Sequence, residues 1–244
     1  MSVDLETYII DASRETDRHA LVRRFREMVK ARGLTASRYQ VVAREFRPVD
    51  WQDGYRSVDY PKEWVENYKN RDYCGLDPLV EIALRAHEPF YWREASEKMD
   101  LSEQQKAYLA DLRSHGFNDG LVVPVLLKPG EIAYFGLGAK SKKLSLTRAE
   151  LIEVQIICQI THQRYEQLLT RPETLDLTPR EVEVISWIMQ GKSNAAIALI
   201  LGISNHTVDT LVRRCFRKLG ASNRLEASLT AISRGLGITL PKAS

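Results

Sequence analysis

The sequence predicts an α/β chain in two parts: an N-terminal α/β/α sandwich around an antiparallel sheet, and an all-α C-terminal domain of four helices with a helix-turn-helix. Three observations carry that expectation. Strand-like runs alternate with amphipathic helical runs over residues 1–169, the order of a sheet covered by helices on both faces. Residues 170–176, TRPETLD, are polar, contain a proline and read as a linker. Residues 177–244 hold four helical patterns, and the Gly202-Ile203-Ser204 turn between the second and third has the length and glycine of a helix-turn-helix.

Taken in order, the first part opens with an amphipathic helix from about Asp17 to Ala31, apolar at Leu21, Val22, Phe25, Met28 and Val29 and ended by Gly33. TASRYQVVAREF reads as a strand, and a strand or loop then runs through Trp51 and Gly54 to Asp59. Helical pattern returns over Pro61–Arg71 and Asp77–Ala86, with a short strand at Phe90-Tyr91-Trp92. Ser102 caps a helix to about His115, closed by Gly116. GLVVPVLL and EIAYFGLGA, joined by Lys128-Pro129-Gly130, form a hairpin of buried strands. A capping box at Thr147–Glu150 opens a long helix to about Leu169.

In the second part Thr178, Pro179 and Glu181 make the start of the first helix, and Gly191 its stop. Ser193 caps a short helix over Asn194–Leu201, and Ser204 caps the third. On the third helix Val208, Leu211, Cys215 and Leu219 form a buried stripe. The opposite face carries Asn205, His206, Asp209, Thr210, Arg213, Arg214 and Arg217, which alone would be a solvated surface and in this setting suits a DNA major groove.

Charge follows the same division. Of 35 Lys+Arg and 32 Asp+Glu, residues 1–171 hold 26 of each, leaving nine basic and six acidic residues for 172–244. Arg213, Arg214, Arg217, Lys218 and Arg224 cluster on and after the third helix, a modest field that suits phosphate contacts without implying them alone. A module this small buries a limited DNA interface, so useful affinity calls for two copies on a two-fold site.

Several chemistries find no support. No run of about 18 apolar residues is present and the N-terminus is too polar for a signal peptide, so the expected location is the cytoplasm, with no membrane partner. Cys74, Cys158 and Cys215 are scattered with no CxxC, and the five histidines show no metal-ligand spacing, so neither a disulfide framework nor a metal is expected. The GLG at 136–138 lacks a third glycine, and no GxSxG or phosphate-binding loop occurs. No cofactor and no enzymatic activity are expected.

What remains is an aromatic set with one acid: Tyr60, Trp64 and Tyr68 at four-residue spacing, then Asp77-Pro78, then Trp92. The spacing places the three rings on one helical face. Such a stripe is more often plain core, and Asp77 before Pro78 is an ordinary N-cap. Tyr and Trp also supply the apolar walls and polar handles of a small-molecule pocket.

The second part resembles the DNA-binding domain of the LuxR family through LTPREVEV, Trp187, GKSN at 191–194, Ile197-Ala198, Ile203-Ser204, Thr207-Val208, KLG at 218–220 and Arg224. Ala196 stands where that family often has Glu, and Leu211 where it often has His; neither breaks a helix. The first part resembles the autoinducer-binding domain of LuxR-type quorum-sensing receptors at Trp64, Tyr68, Asp77, Pro78, Trp92 and Gly120. The resemblance implies an acyl-homoserine lactone as effector. It implies that Trp64 donates to the lactone carbonyl, Asp77 accepts the amide N–H, Tyr60 donates to the acyl carbonyl, and Tyr68 and Trp92 wall the pocket, with Leu79 beside them.

Departures bear on the acyl group. Gly136 aligns where relatives often have Ser or Thr, which leaves a 3-oxo group without its usual partner and frees space near the acyl chain. Arg38 and Gln40 align with small or apolar positions of the acyl tunnel, and facing inward they would disfavour a long plain chain. A strand phase shifted by one would instead put Arg38 and Gln40 in solvent and Tyr39 and Val41 inward. The expected ligand is therefore other than a long-chain 3-oxo lactone: short, branched, aromatic or polar. On the DNA side Lys192, Ser204, Asn205, His206, Thr207, Asp209, Thr210, Arg213, Arg214 and Arg217 are the expected contacts. Arg213 reads a guanine, and Asp209 either accepts from a cytosine or caps local charge. A homodimer on double-stranded promoter DNA, paired through the Thr147–Leu169 helix and with RNA polymerase as a further partner, completes the expectation.

Overall fold

Residues 4–44, 46–49, 55–70, 73–126, 128–169 and 176–236 are described by the computed structural model. They fall into two compact units, residues 1–42, 49–127 and 132–171 in one, and 43–48, 128–131 and 172–244 in the other. Trp51, Gly54, the end of the helix expected to reach Arg71, residues 170–175 of the expected linker and residues 237–244 lie outside the described residues.

A six-stranded sheet organises the N-terminal part: β1 (Ala36–Arg44), β2 (Arg47–Pro48), β3 (Tyr55–Val58), β4 (Phe90–Tyr91), β5 (Asp119–Val125) and β6 (Ile132–Ala139). Its order is β2-β1-β6-β5-β4, with β3 also paired to β1. The hairpin register sets Val122 against Gly136 and Gly120 against Gly138, antiparallel throughout. Because side chains alternate along a strand, each strand feeds both faces. Tyr39, Val41, Phe135 and Leu137 enter one core, while Val122 and Tyr134 enter the other. Both faces are covered, as in the α/β/α sandwich expected.

One cover is α1 (Leu5–Arg14), α2 (Arg18–Lys30) and α8 (Arg148–Leu169). Asp17 caps α2 by accepting from the Ala20 N–H, and Thr147 and Glu150 exchange bonds at the start of α8. Sequence pattern missed α1, whose Tyr8 and Ala12 are buried; only two of its ten residues are buried, too few for a clear stripe. The other cover is α3 (Lys62–Asn70), α4 (Tyr73–Leu76), α5 (Pro78–Ala83), a 3₁₀ turn (Trp92–Glu94), α6 (Ala95–Lys98) and α7 (Glu103–Ser114). The α5 helix is shorter than its pattern, ending at Ala83 rather than Ala86, and α4 and α6 were not foreseen. Single-turn helices leave no periodicity to read.

The second unit holds α9 (Pro179–Met189), α10 (Asn194–Leu201), α11 (Asn205–Leu219) and α12 (Arg224–Ser233). Thr178 and Glu181 form the expected capping box, and Ser193 and Ser204 each cap their helix through the N3 N–H. Gly202 adopts φ +64°, the left-handed turn that stops α10, and the chain bends by 111° into α11. That angle is the one a helix-turn-helix requires. Cys215 sits at the centre of this core, where burial pushes its thiol up to about 11, so it behaves as a small apolar residue.

Glu181 is buried, yet its carboxyl is held below the ordinary range: burial opposes the charge, and the Lys218 ammonium at 2.8 Å with the Thr178 bonds outweighs it. A depressed folded-state pKa gives stability that is complete above the ordinary glutamate value and lost as pH falls through the folded one. Glu181→Gln should therefore flatten the acid limb of urea stability measured between pH 3 and 6; an unchanged limb would reject this role.

Candidate functional site

Asp77 stands at the start of α5 because an aspartate before Pro78 is a ready N-cap: its Oδ1 accepts the Leu79 N–H at 2.9 Å. Its Oδ2 accepts three further donors, Arg38 Nη2 at 2.7 Å, Tyr108 Oη at 2.9 Å and Tyr68 Oη at 3.3 Å. The carboxylate is fully buried, and so is nearly all of its Arg38 partner. The guanidinium also donates to Tyr134 Oη at 2.6 Å and lies 5.0 Å from the Tyr68 ring centre and 5.2 Å from that of Tyr134. Burial opposes the Arg38 charge, but Asp77 and the tyrosine hydroxyls around it hold its proton above the ordinary range. Burial likewise raises Tyr68 and Tyr108, so both hydroxyls stay protonated and serve as donors.

Beside this pair lies a cavity of about 260 Å³ of empty space, lined by Arg38, Tyr60, Trp64, Leu79, Trp92, Tyr108, Leu112 and Gly136. Trp64 is 2% exposed and packs against Tyr68, Tyr73 and Tyr108 at 6.3, 5.8 and 5.7 Å between ring centres. The Trp92 indole lies on the bare backbone of Gly120: a Cβ there would stand 2.4 Å from the ring. Gly120→Ala must displace Trp92 or the strand, and it should cost about 1–3 kcal/mol. Thermal unfolding checks this; an unchanged midpoint would show that the ring has room.

Of the nine expected ligand residues, six line the cavity: Arg38, Tyr60, Trp64, Leu79, Trp92 and Gly136. Tyr68, Asp77 and Gln40 stand behind its wall, within the hydrogen-bonded group that fixes Arg38 and Tyr134. The strand phase left open is decided: Arg38 and Gln40 point to the cavity side, while Tyr39 and Val41 join the opposite core. Neither register exposes a residue, because both faces are covered. The space expected at Gly136 is not free. A Cβ on Gly136 would meet Arg38 Nε at 3.6 Å, so the guanidinium fills the place opened by the missing side chain.

Tyr108, Leu112 and Tyr134 were not foreseen. Tyr134 is two residues before Gly136 on β6, so strand alternation places it on the same face. Tyr108 and Leu112 arrive on α7, and no local pattern marks them. On the other face a buried cluster was also unforeseen: Tyr39 Oη lies 2.8 Å from His162 Nδ1 and donates to Glu166 Oε1 at 2.9 Å.

In the second unit, α11 presents Asn205, His206, Thr207, Arg213, Arg214 and Arg217 exposed, and Lys192 and Ser204 are exposed beside it. Among the described residues the side chains of Lys192, Arg213, Arg214 and Arg217 have no ion pair or hydrogen bond, so four cations are left for a partner. Lys218 and Arg224 belong to the frame instead. Lys218 holds Glu181, while Arg224 donates to Asn194 Oδ1 at 2.7 Å and to the Lys192 carbonyl. Asp209 accepts from Asn194 Nδ2 at 2.5 Å, which ties α10 to α11 and supports the local role over base reading. Ser204 and Thr207 spend their hydroxyls on the helix cap, and Thr210 bonds back to the His206 carbonyl.

An enclosed polar-aromatic pocket in one unit and a helix-turn-helix in the other define a class: a transcription regulator that responds to a small molecule. Residues 17–165 match the autoinducer binding domain, and residues 175–231 match the bacterial regulatory proteins of the luxR family. The quorum sensing-dependent transcriptional regulator RpaR of Rhodopseudomonas palustris is 26% identical over 93% of this chain and 92% of its own length. The transcriptional activator BjaR1 of Bradyrhizobium diazoefficiens is 31% identical over 71% and 72%. Crystalline Escherichia coli SdiA shares the fold with a TM-score of 0.76 at 18% identity, covering 96% of this chain and 98% of that one. The chain belongs to the LuxR-type family of quorum-sensing transcriptional regulators, which bind an autoinducer and DNA and are not enzymes.

Proposed function

We propose that the effector is an acyl-homoserine lactone held in the Arg38–Trp92 cavity, and that its binding governs how a homodimer grips double-stranded promoter DNA. The observation that carries this reading is the cavity itself, which Tyr60 and Trp64 both line. Trp64 donates to the lactone carbonyl and Tyr60 to the acyl carbonyl. Asp77 Oδ2 already receives three donors and Oδ1 the Leu79 N–H, so the amide N–H takes the remaining lone pair of Oδ1. The ligand fills the cavity, stabilises the first unit by mass action and favours pairing through α8. Ile152 on that helix is 49% exposed, an apolar contact free for a second copy.

The paired chains then set two copies of α11 one DNA turn apart, with Lys192, Asn205, His206, Arg213, Arg214 and Arg217 facing the groove and its phosphates. The expected boundaries, 1–169 for sensing and pairing, 170–176 for the linker and 177–244 for DNA, are part of this proposal. So are the cytoplasmic location, where promoter DNA is reached, and RNA polymerase as a further partner. Calorimetric titration of the full chain with a panel of lactones, followed by gel shift with and without ligand, tests it. Micromolar or tighter binding of at least one lactone that changes DNA affinity is expected; no heat with any of them would leave a regulator that ignores lactones.

A further inference from the structure

We infer that the acyl group of the effector is short and carries an oxygen acceptor of its own, received by the free edge of the Arg38 guanidinium; this rests on the lactone reading above. Arg38 has five N–H donors. Nη2 uses two, on Asp77 and Tyr134, and among the described residues the Nε–H and both Nη1–H groups have no acceptor. That edge belongs to a residue lining the cavity, and it lies beside Gly136, another lining residue, with Nε 3.6 Å from the place of a Cβ. A second donor on the same lining is also unused: among the described residues Trp92 Nε1 is buried without a hydrogen-bond partner, in a residue 94% hidden from solvent.

A buried donor with no acceptor, such as Trp92 Nε1, is costly, and the Arg38 edge beside the cavity is a charged and so stronger donor. A ligand that supplies an oxygen relieves that cost; a plain methylene chain laid against the same edge seals it away from water and makes it worse. The dimensions act in the same direction. Only about 10 Å³ of the cavity is open to a water-sized sphere, so any ligand must widen it, and a short acyl group asks less of that than a long one. A 3-oxo or 3-hydroxy group therefore has a partner here after all: the donor that relatives place on a Ser or Thr at the Gly136 position is supplied across the sheet by Arg38.

The test is calorimetry on the full chain with hexanoyl-, 3-oxohexanoyl-, 3-hydroxyhexanoyl- and 3-oxododecanoyl-homoserine lactone, for the native protein and two variants. Native protein should prefer an oxygen-bearing six-carbon ligand over the plain one by about tenfold or more, and over the twelve-carbon one by a similar factor. Gly136→Ala keeps the Arg38–Asp77 pair, since its new methyl sits at ordinary contact distance, but it shields the Nε edge. It should shrink the oxygen preference to about threefold or less. Arg38→Met, where it stays folded, should favour the plain chain. Equal affinity for plain and oxygenated ligands, tighter binding of the twelve-carbon ligand, or a preference that survives Gly136→Ala overturns the acyl-group inference alone. Binding of none of the four removes the lactone reading, and this inference with it.

Discussion

Asp77→Ala should destabilise the protein by about 3–5 kcal/mol, the largest effect expected of any substitution here, because it leaves the Arg38 guanidinium charged, buried and unpaired. The same change strips the cap from α5 and frees the hydroxyls of Tyr68 and Tyr108. Urea unfolding of the full chain without ligand reads it directly. The combined Arg38→Met, Asp77→Asn protein should recover most of the loss, since no buried charge is then alone. A cost of Asp77→Ala below about 1 kcal/mol, or no recovery in the double variant, would show that the pair is not what holds this half together. The consequence for function is direct: loss of signal response in an Asp77 variant reflects structure as well as ligand contact, and only the unfolding measurement separates them.

The second large effect is on DNA. Arg213 is exposed on α11 with no internal partner among the described residues, so its guanidinium is available to a base. Arg213→Ala should weaken binding by about 1–3 kcal/mol in each half-site. For a dimer on a two-fold site this means on the order of 30-fold to 10⁴-fold in affinity, with relaxed preference at one base pair per half-site. Quantitative gel shift against a set of single-base operator variants checks both parts. Uniform weakening across all variants would make Arg213 a phosphate contact. Lys218→Ala offers a contrast: its ammonium is bound to Glu181, so it should lower stability and leave base preference unchanged.

Much of the second unit was legible because its signals are local. Thr178, Gly191, Ser193, Gly202 and Ser204 each act within four residues of themselves, and the first three helices began where those caps put them. The sorting of its cations was not legible. Sequence groups Arg213, Arg214, Arg217, Lys218 and Arg224 together, yet Lys218 and Arg224 are held by Glu181 and Asn194, 37 and 30 residues away. In the first unit the strands and long helices followed from alternation and periodicity, whereas α1, α4 and α6 carried too few buried residues to show either.

The sequence alone determined the two-part architecture, the family and the Tyr60–Trp64–Tyr68 stripe, since periodicity, caps and motif spacing are properties of neighbouring residues. Only the tertiary structure decided what the pocket is made of. A strand's phase is fixed by what covers both faces of its sheet, and that covering brought Arg38 onto Asp77, 39 residues away, with Tyr108 and Tyr134 beside them. Burial then gave the pair its strength, because a charge removed from water must find its counter-ion inside the protein.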